Sequence, residues 1–346
     1  MNGYLMHKND VVSKIENDIV LDDSALLPLQ LHQGACFEGW LAGRAIDKHR
    51  TNSRLLKKVL RITDTSDIAT VLRAHAATVT DNYWFKAAGE DICYEDILFN
   101  DDSLADIALF GNFESISSAE KLDVKHSRSP ELTNIGSFEK CWRLEQAEWV
   151  MYKSENTLEQ FSEIFICRLG QHLGFDMAVY EKVDNCVKTK DFTEGKKYDF
   201  EPAVAFVGEQ EDYSVSYKRL MDDSPAIAAD FVKLIFMDTL CFNMDRHTNN
   251  YGVLRDAESG KVVKLAPNFD NNIALISRGY TKTEVSEKDL LITLWKEFVK
   301  ENNITFEIPH LERETVKLIA ESIDIDVDKA YVTDFVMNRY AALVEK

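Results

Sequence analysis

Three things are scarce in this sequence, and each scarcity removes a class of function. The first is positive charge. Against 59 Asp+Glu stand 40 Lys+Arg, a formal net charge of −19, and the pI is near 4.9. A protein that grips nucleic acid by itself needs a cationic surplus on some face, and an anionic membrane surface makes the same demand. Neither direct nucleic-acid binding nor membrane association is therefore expected. The second is paired cysteine. Cys36, Cys93, Cys141, Cys167, Cys186 and Cys241 are scattered and form no CxxC. Zinc-ligand spacing is missing, and isolated thiols in a chain this long fit the reducing cytoplasm. The third is long apolar runs. The first ten residues show no basic region leading into an apolar run, so they do not read as a secretory signal. The most apolar stretch, 226–244, contains Asp230, Lys233 and Asp238, which makes it a buried helix rather than a membrane span. Internal repeats and low-complexity tracts are also missing.

What is present is enough for a folded protein. A hydrophobic content of 45% over 346 residues supplies a packed core and about two domains. Residues 4–6 and 11–15 read as strands joined at Lys8-Asn9-Asp10, a good turn sequence. The pattern then becomes helical over 51–62 and 66–77. Residues 113–131, with five serines and mixed charge, read as a linker, placing a domain boundary near residue 130.

Beyond the linker, 141–144 and 148–153 form a predicted hairpin, and 158–173 a predicted helix stopped by Gly174. Further strands are expected at 177–182 and 203–207, followed by the apolar helix 226–244. A second hairpin, 251–255 with 261–265, turns around Asp256-Ala257-Glu258-Ser259-Gly260. Helices at 287–300, 310–323 and 328–344 complete the chain. The expected class is α+β: a small antiparallel sheet lobe followed by a mainly helical lobe, one of the shapes that seats a nucleotide in a cleft.

The chemically informative segment is 243–270. Asp245 is followed five residues later by Asn250, and Asp270 comes just past the second hairpin. In protein kinases a catalytic-loop Asp accepts the substrate hydroxyl proton, an Asn five residues on holds Mg²⁺, and an Asp after the next strand pair holds Mg²⁺ on the phosphates. Phosphoryl transfer needs charge neutralisation and a positioned base more than covalent help. Mg²⁺ prefers carboxylate and amide oxygens. Asp and Asn are also ordinary loop residues, so the spacing gains its meaning from its setting between a buried helix and a hairpin.

That setting resembles the HipA-like kinases, a bacterial branch of the protein-kinase-like superfamily. The matching residues are Asn243-Met244-Asp245-Arg246-His247-Thr248-Asn249-Asn250-Tyr251-Gly252 and Leu265-Ala266-Pro267-Asn268-Phe269-Asp270. The resemblance covers roughly residues 130–340, and the N-terminal third more loosely. It implies a two-lobed kinase-like fold, with an N-terminal α+β subdomain over 1–130, a small lobe over 131–210 and a helical lobe over 211–346. It also implies ATP- and Mg²⁺-dependent phosphorylation of Ser or Thr in a protein.

Carried over by motif, Asp245 is the catalytic base, and Asn250 and Asp270 are the Mg²⁺ ligands. Arg246 and His247 support the loop by hydrogen bonds, and His247 also counts among the nucleotide contacts. Lys153 is the strand lysine that grips phosphate. Glu163 is its helix partner, with Glu159 one turn earlier as the alternative. No GxGxxG is found. The segment Thr133-Asn134-Ile135-Gly136-Ser137-Phe138-Glu139-Lys140 stands where a looser phosphate loop would be, with Gly136 and Ser137 as backbone contacts. In the family such a loop can carry an autophosphorylated serine; Ser137 is the nearest match and Thr133 the second. Adenine contacts are expected around Val207-Gly208-Glu209.

Two other classes use the same residues: a catalytically weak toxin-like module acting through an antitoxin partner, and a small-molecule phosphotransferase. An intact Asp245, Asn250 and Asp270 weighs against the first. Only the acceptor groove separates the second from a protein kinase.

Overall fold

The computed structural model describes residues 1–63, 66–112, 128–286 and 288–345. Most of the expected linker, 113–127, and the first residue of the helix expected at 287 lie outside the described residues. The chain divides into two compact units. One comprises Met1–Ser154, Lys188–Glu201 and Leu254–Val263; the other comprises Glu155–Val187, Pro202–Val253 and Lys264–Lys346.

The first unit begins with β1 (Gly3–His7), β2 (Asp10–Glu16) and β3 (Ile19–Val20). The Lys8-Asn9 turn joins β1 to β2, as the sequence indicated, with Gly3 opposite Ile15 and His7 opposite Asp10. Helices α1 (Phe37–Ala42), α2 (Ser53–Val59) and α3 (Asp67–Leu72) follow. Strand β4 (Tyr83–Ala87) then returns antiparallel to β1, closing a sheet in the order β3-β2-β1-β4. Helical periodicity upstream conceals this strand in the sequence. Its core joins Leu5, Ile15, Phe37, Trp40, Leu41 and Phe85. Short helices α4 (Tyr94–Ile97) and α5 (Ala105–Phe110) come next.

Strands β5 (Lys140–Glu145) and β6 (Glu148–Ser154) form the expected hairpin, running from Lys140 opposite Lys153 to Glu145 opposite Glu148. Its loop is only Gln146-Ala147, and both residues lie in the left-handed region, with φ of 50° and 68°. Two-residue hairpin loops need this conformation and favour Asn-Gly for it. Replacing Gln146-Ala147 by Asn-Gly is therefore expected to raise stability by about 1 kcal/mol, measured by chemical unfolding of the full chain.

The second unit starts with α6 (Thr157–His172). Asn156 caps it by accepting from the Leu158 and Glu159 amides, and the Glu159 carboxylate reaches back to the Asn156 amide. This reciprocal box satisfies two orphan donors of the helix start. Strand β7 (Tyr180–Val183) follows. The chain then passes back to the first unit through β8 (Cys186–Lys190) and on to β9 (Tyr198–Pro202). Residues 203–207, expected as a strand, instead form a helical turn, α7 (Val204–Val207). A short apolar run has no periodicity to separate strand from helix. The amides of Ala203 and Val204 settle it, bonding the carbonyls of Tyr251 and Thr248.

Helices α8 (Tyr213–Asp223) and α9 (Pro225–Cys241) come next. Ser224 caps α9 and Pro225 occupies its first turn, both favoured there. Phe242, at φ 56°, ends the helix. Strands β10 (Gly252–Asp256) and β11 (Val262–Leu265) form the second expected hairpin, and the first-unit residues of β9, β10 and β11 lie side by side in the order β11-β10-β9. Helices α10 (Leu290–Glu301), α11 (Arg313–Glu321) and α12 (Lys329–Val344) complete the second unit. The architecture is thus mixed, with small antiparallel sheets and several helices. No helix among the described residues is long and apolar enough to cross a membrane.

Candidate active site

In the second unit Asp245, Asn250, Asp270 and Glu163 interact with one guanidinium, by hydrogen bond or by charge. Arg246, on the loop after α9, is buried. Its Nε and Nη2 donate to the two oxygens of Asp238, at 2.8 and 2.9 Å. Nη1 donates to the Asn250 carbonyl at 2.5 Å and to the Phe269 carbonyl at 2.8 Å. Nη2 also reaches the side-chain oxygens of Asn268 and Asn271, at 2.9 and 2.8 Å. One planar fork therefore fixes the backbone at Asn250 and at the residue before Asp270. Arginine suits this because its donors are rigid and always charged.

Other bonds complete the frame. Asn243 donates to Asp238 and accepts from the Asp245 amide at 3.0 Å. The Asn250 side-chain nitrogen donates to the Asp245 carbonyl at 2.9 Å, so the amide oxygen is the end left for a cation. Asp270 takes φ 61°, a conformation non-glycine residues hold only when their surroundings enforce it. Glu163 on α6 is fully buried and accepts from the Asn271 amide. Glu159, the alternative, is committed to the α6 cap. His247 is half-buried, and its Nδ1 accepts from the Asn249 amide at 3.2 Å. Val207 is half-buried at the end of α7, and Glu209 is exposed beyond Gly208.

Burial pushes the Asp245 carboxyl above its ordinary range. The charge of Asp270 adds to this, while His247 and Arg278 oppose it. A raised carboxylate is better matched to accepting a hydroxyl proton than an unperturbed one. Asn250 and Asp270 supply an amide and a carboxylate oxygen, hard donors that fit Mg²⁺. Among the described residues no group of three or more His, Cys, Asp or Glu gathers as a metal site; a cation here would complete its shell with water and phosphate oxygens, as Mg²⁺ commonly does.

The first unit holds Lys153, Gly136, Ser137 and Thr133. Lys153 is buried on β6, directly across from Lys140 on β5. In the loop before β5, Gly136 has φ 113°, and a Cβ there would come within 2.5 Å of the Lys140 ammonium. The lysine end could move aside, but the positive φ itself favours glycine here. Ser137 is exposed. Thr133 is buried, and its hydroxyl donates to the Ala77 carbonyl at 2.7 Å.

The base of this loop is a buried ionic cluster. Arg50 donates to the carbonyls of Asn134 and Lys140, at 3.0 and 2.5 Å. Glu131 accepts from the Trp142 amide at 2.7 Å and from Asn134 at 3.1 Å. Burial pushes the Glu131 carboxyl up to about 7, against the pull of Arg50 and these donors. The folded state thus binds this proton more tightly than the unfolded chain. Stability is expected to fall as pH rises from about 4.5 towards 7, by about 3 kcal/mol. Unfolding measured against pH beside Glu131→Gln, which lacks the titration, checks this: the difference between the two proteins should change across that window.

Asp238, which anchors the whole frame, was not singled out by the sequence reading, which took it only as a charge within an apolar helix. A carboxylate in an otherwise apolar helix, eight residues before an arginine in a polar loop, is the signal that points to it.

No family model and no curated protein matches the chain. Among solved structures, the fold resembles that of a protein from a toxin–antitoxin system. HipA of Shewanella oneidensis MR-1, solved with HipB and its operator DNA, superposes at a TM-score of 0.60 with 11% identity, covering 99% of this chain and 96% of that one. The Helicobacter pylori proinflammatory kinase CtkA is also similar, at a TM-score of 0.44 and 17% identity, over 59% of this chain and 90% of that one.

Proposed function

We propose that this chain is an ATP- and Mg²⁺-dependent protein serine/threonine kinase of the HipA-like group, transferring the γ-phosphoryl group to a Ser or Thr hydroxyl. The observation that supports this reading is the Arg246 fork, which bonds the backbone carbonyls of Asn250 and of Phe269, the residue before Asp270. Asp245 takes the proton of the acceptor hydroxyl as its oxygen bonds to phosphorus and the bond to ADP breaks. Asn250 and Asp270 hold Mg²⁺, which when bound neutralises phosphate charge. Lys153 and the backbone at Gly136 are the groups we assign to phosphate binding. Glu163 braces the segment after Asp270, and His247, Val207 and Glu209 border the nucleotide.

Of the two candidate autophosphorylation positions, exposure favours Ser137, because Thr133 would have to leave the interior. The solved HipA complex makes an antitoxin-type protein the partner to look for, with any DNA contact carried by that partner. The cytoplasm fits six free thiols.

The test is label transfer from ATP with Mg²⁺, to a protein substrate and to the chain itself, beside Asp245→Ala, with the modified residue located by mass spectrometry. Transfer lost in the variant supports the proposal. Transfer only to a small acceptor overturns protein specificity, and Mg²⁺-dependent nucleotide binding without transfer identifies a binding module. No binding and no transfer ends the kinase reading.

A further inference from the structure

The proposed chemistry draws on no residue before Thr133, yet the segment 46–52 supplies the floor of the loop before β5. The Ile46 amide donates to the Leu132 carbonyl at 2.9 Å. The Asn52 amide donates to one Glu139 carboxylate oxygen at 3.2 Å, and the other lies 4.0 Å from the Arg50 Nε. Arg50 itself bonds both ends of the loop. Its Nη1 donates to the Asn134 carbonyl and its Nη2 to the Lys140 carbonyl, partners 84 and 90 residues away in sequence. From the other side Glu131 accepts from the Asn134 side chain and from the Trp142 amide.

Arg50 is 1% exposed and Asn134 3%, while Ile135 and Ser137 between the two ends are exposed. The ends of the loop are thus fixed from beneath by buried groups, and its crest stays open to solvent. A guanidinium suits this place because its rigid planar fork spans two carbonyls and its charge is permanent. Burying that charge is costly, and apolar side chains of similar volume would serve stability as well. What they would not supply is a fixed spacing between residues 134 and 140. Backbone amides cradle an anion only while successive N–H groups converge, and a loop already held in shape loses less freedom when its ligand arrives.

We propose that Arg50 is a positioning residue for phosphate binding: it holds the loop 134–140 in the arrangement that receives the nucleotide phosphates. The N-terminal third of the chain thereby governs how well the site tells ATP from adenosine. This rests on the kinase reading above and on its assignment of the Gly136 backbone to phosphate.

The test is equilibrium binding of Mg²⁺-ATP and of adenosine to the wild-type chain, to Arg50→Lys, and to the double variant Arg50→Met with Glu131→Gln. Arg50→Lys keeps the charge but offers one ammonium where two carbonyls need a fork. The double variant leaves no charge buried alone, so a failure to fold in one protein does not decide the matter. Each is expected to bind Mg²⁺-ATP about tenfold more weakly than the wild type, through lost preorganisation. Adenosine, which has no phosphate for the loop to hold, should bind within about twofold of the wild type. An unchanged ratio of ATP to adenosine affinity overturns the inference. So does an equal fall for both ligands, which would make Arg50 a stability element only. A wild-type chain that binds Mg²⁺-ATP no better than adenosine overturns the inference and the kinase reading together. A wild-type preference for ATP leaves that reading standing whatever the variants do.

Discussion

Asp245→Ala is expected to lower phosphoryl transfer from Mg²⁺-ATP by about 10²–10⁴-fold, the usual contribution of a positioned general base, with nucleotide affinity changed by less than about threefold. The expectation separates two roles that the site keeps on different residues. In the proposed reaction Asp245 serves the acceptor, while the cation is assigned to Asn250 and Asp270. Removing the Asp245 carboxylate also removes a like charge from beside Asp270, so nucleotide binding should hold or tighten slightly. Single-turnover transfer and equilibrium binding of ATP, each with and without Mg²⁺, measure the two effects independently. A variant that loses binding and transfer together would place Asp245 among the cation ligands instead.

Arg246→Ala is expected to destabilise the chain by about 3–5 kcal/mol, the cost of leaving one member of a buried ion pair uncompensated. Asp238 would keep only the Asn243 amide against its charge, and the carbonyls of Asn250 and Phe269 would lose their shared donor. Chemical unfolding measures the loss. Arg246→Lys tests the geometry as distinct from the charge, since one ammonium cannot span Asp238, Asn250 and Phe269 as a fork does. It should keep more stability than Arg246→Ala yet still weaken Mg²⁺-dependent nucleotide binding. The double variant Asp238→Leu with Arg246→Met should be more stable than Arg246→Ala, because nothing charged is then buried alone. If that double variant still bound Mg²⁺-nucleotide like the wild type, the pair would be a stability element and not a positioning one.

The parts of the molecule written in local chemistry were readable from the residues. The Lys8-Asn9 turn, the α6 helix, the apolar α9 and the hairpin of β10 and β11 each carry their own signal, and the 243–270 motif lies where two of these meet. Strand β9 shows why other parts were not. Its buried positions are Asp199 and Glu201, while Tyr198, Phe200 and Pro202 are only half-buried. Binary patterning therefore points the wrong way. The inversion is stable because His7 meets Asp199 at 2.7 Å, the Asn82 amide meets it at 2.8 Å, and Arg255 pairs with Glu201. All these partners are at least 54 residues away in sequence. Arg246 illustrates the same limit in the site. Its position inside the motif was legible, but its reach to Asp238 and Phe269 depends on how helix and hairpin come back to the loop.

The interleaving of the two units sets the order in which the chain can acquire structure. The first unit draws residues 188–201 and 254–263 back to a body begun at the N-terminus, so the His7–Asp199 and Glu201–Arg255 contacts close very long loops. Such non-local closures slow folding, because chain entropy is lost before the contacts repay it. On a ribosome elongating at roughly 5–20 residues per second, the N-terminal sheet and its hairpin would wait for many seconds with buried-acid strand β9 and its arginine partner still unmade. Throughout that interval His7 and Asn82 lack their Asp199 partner and stay open to other hydrogen-bonding groups.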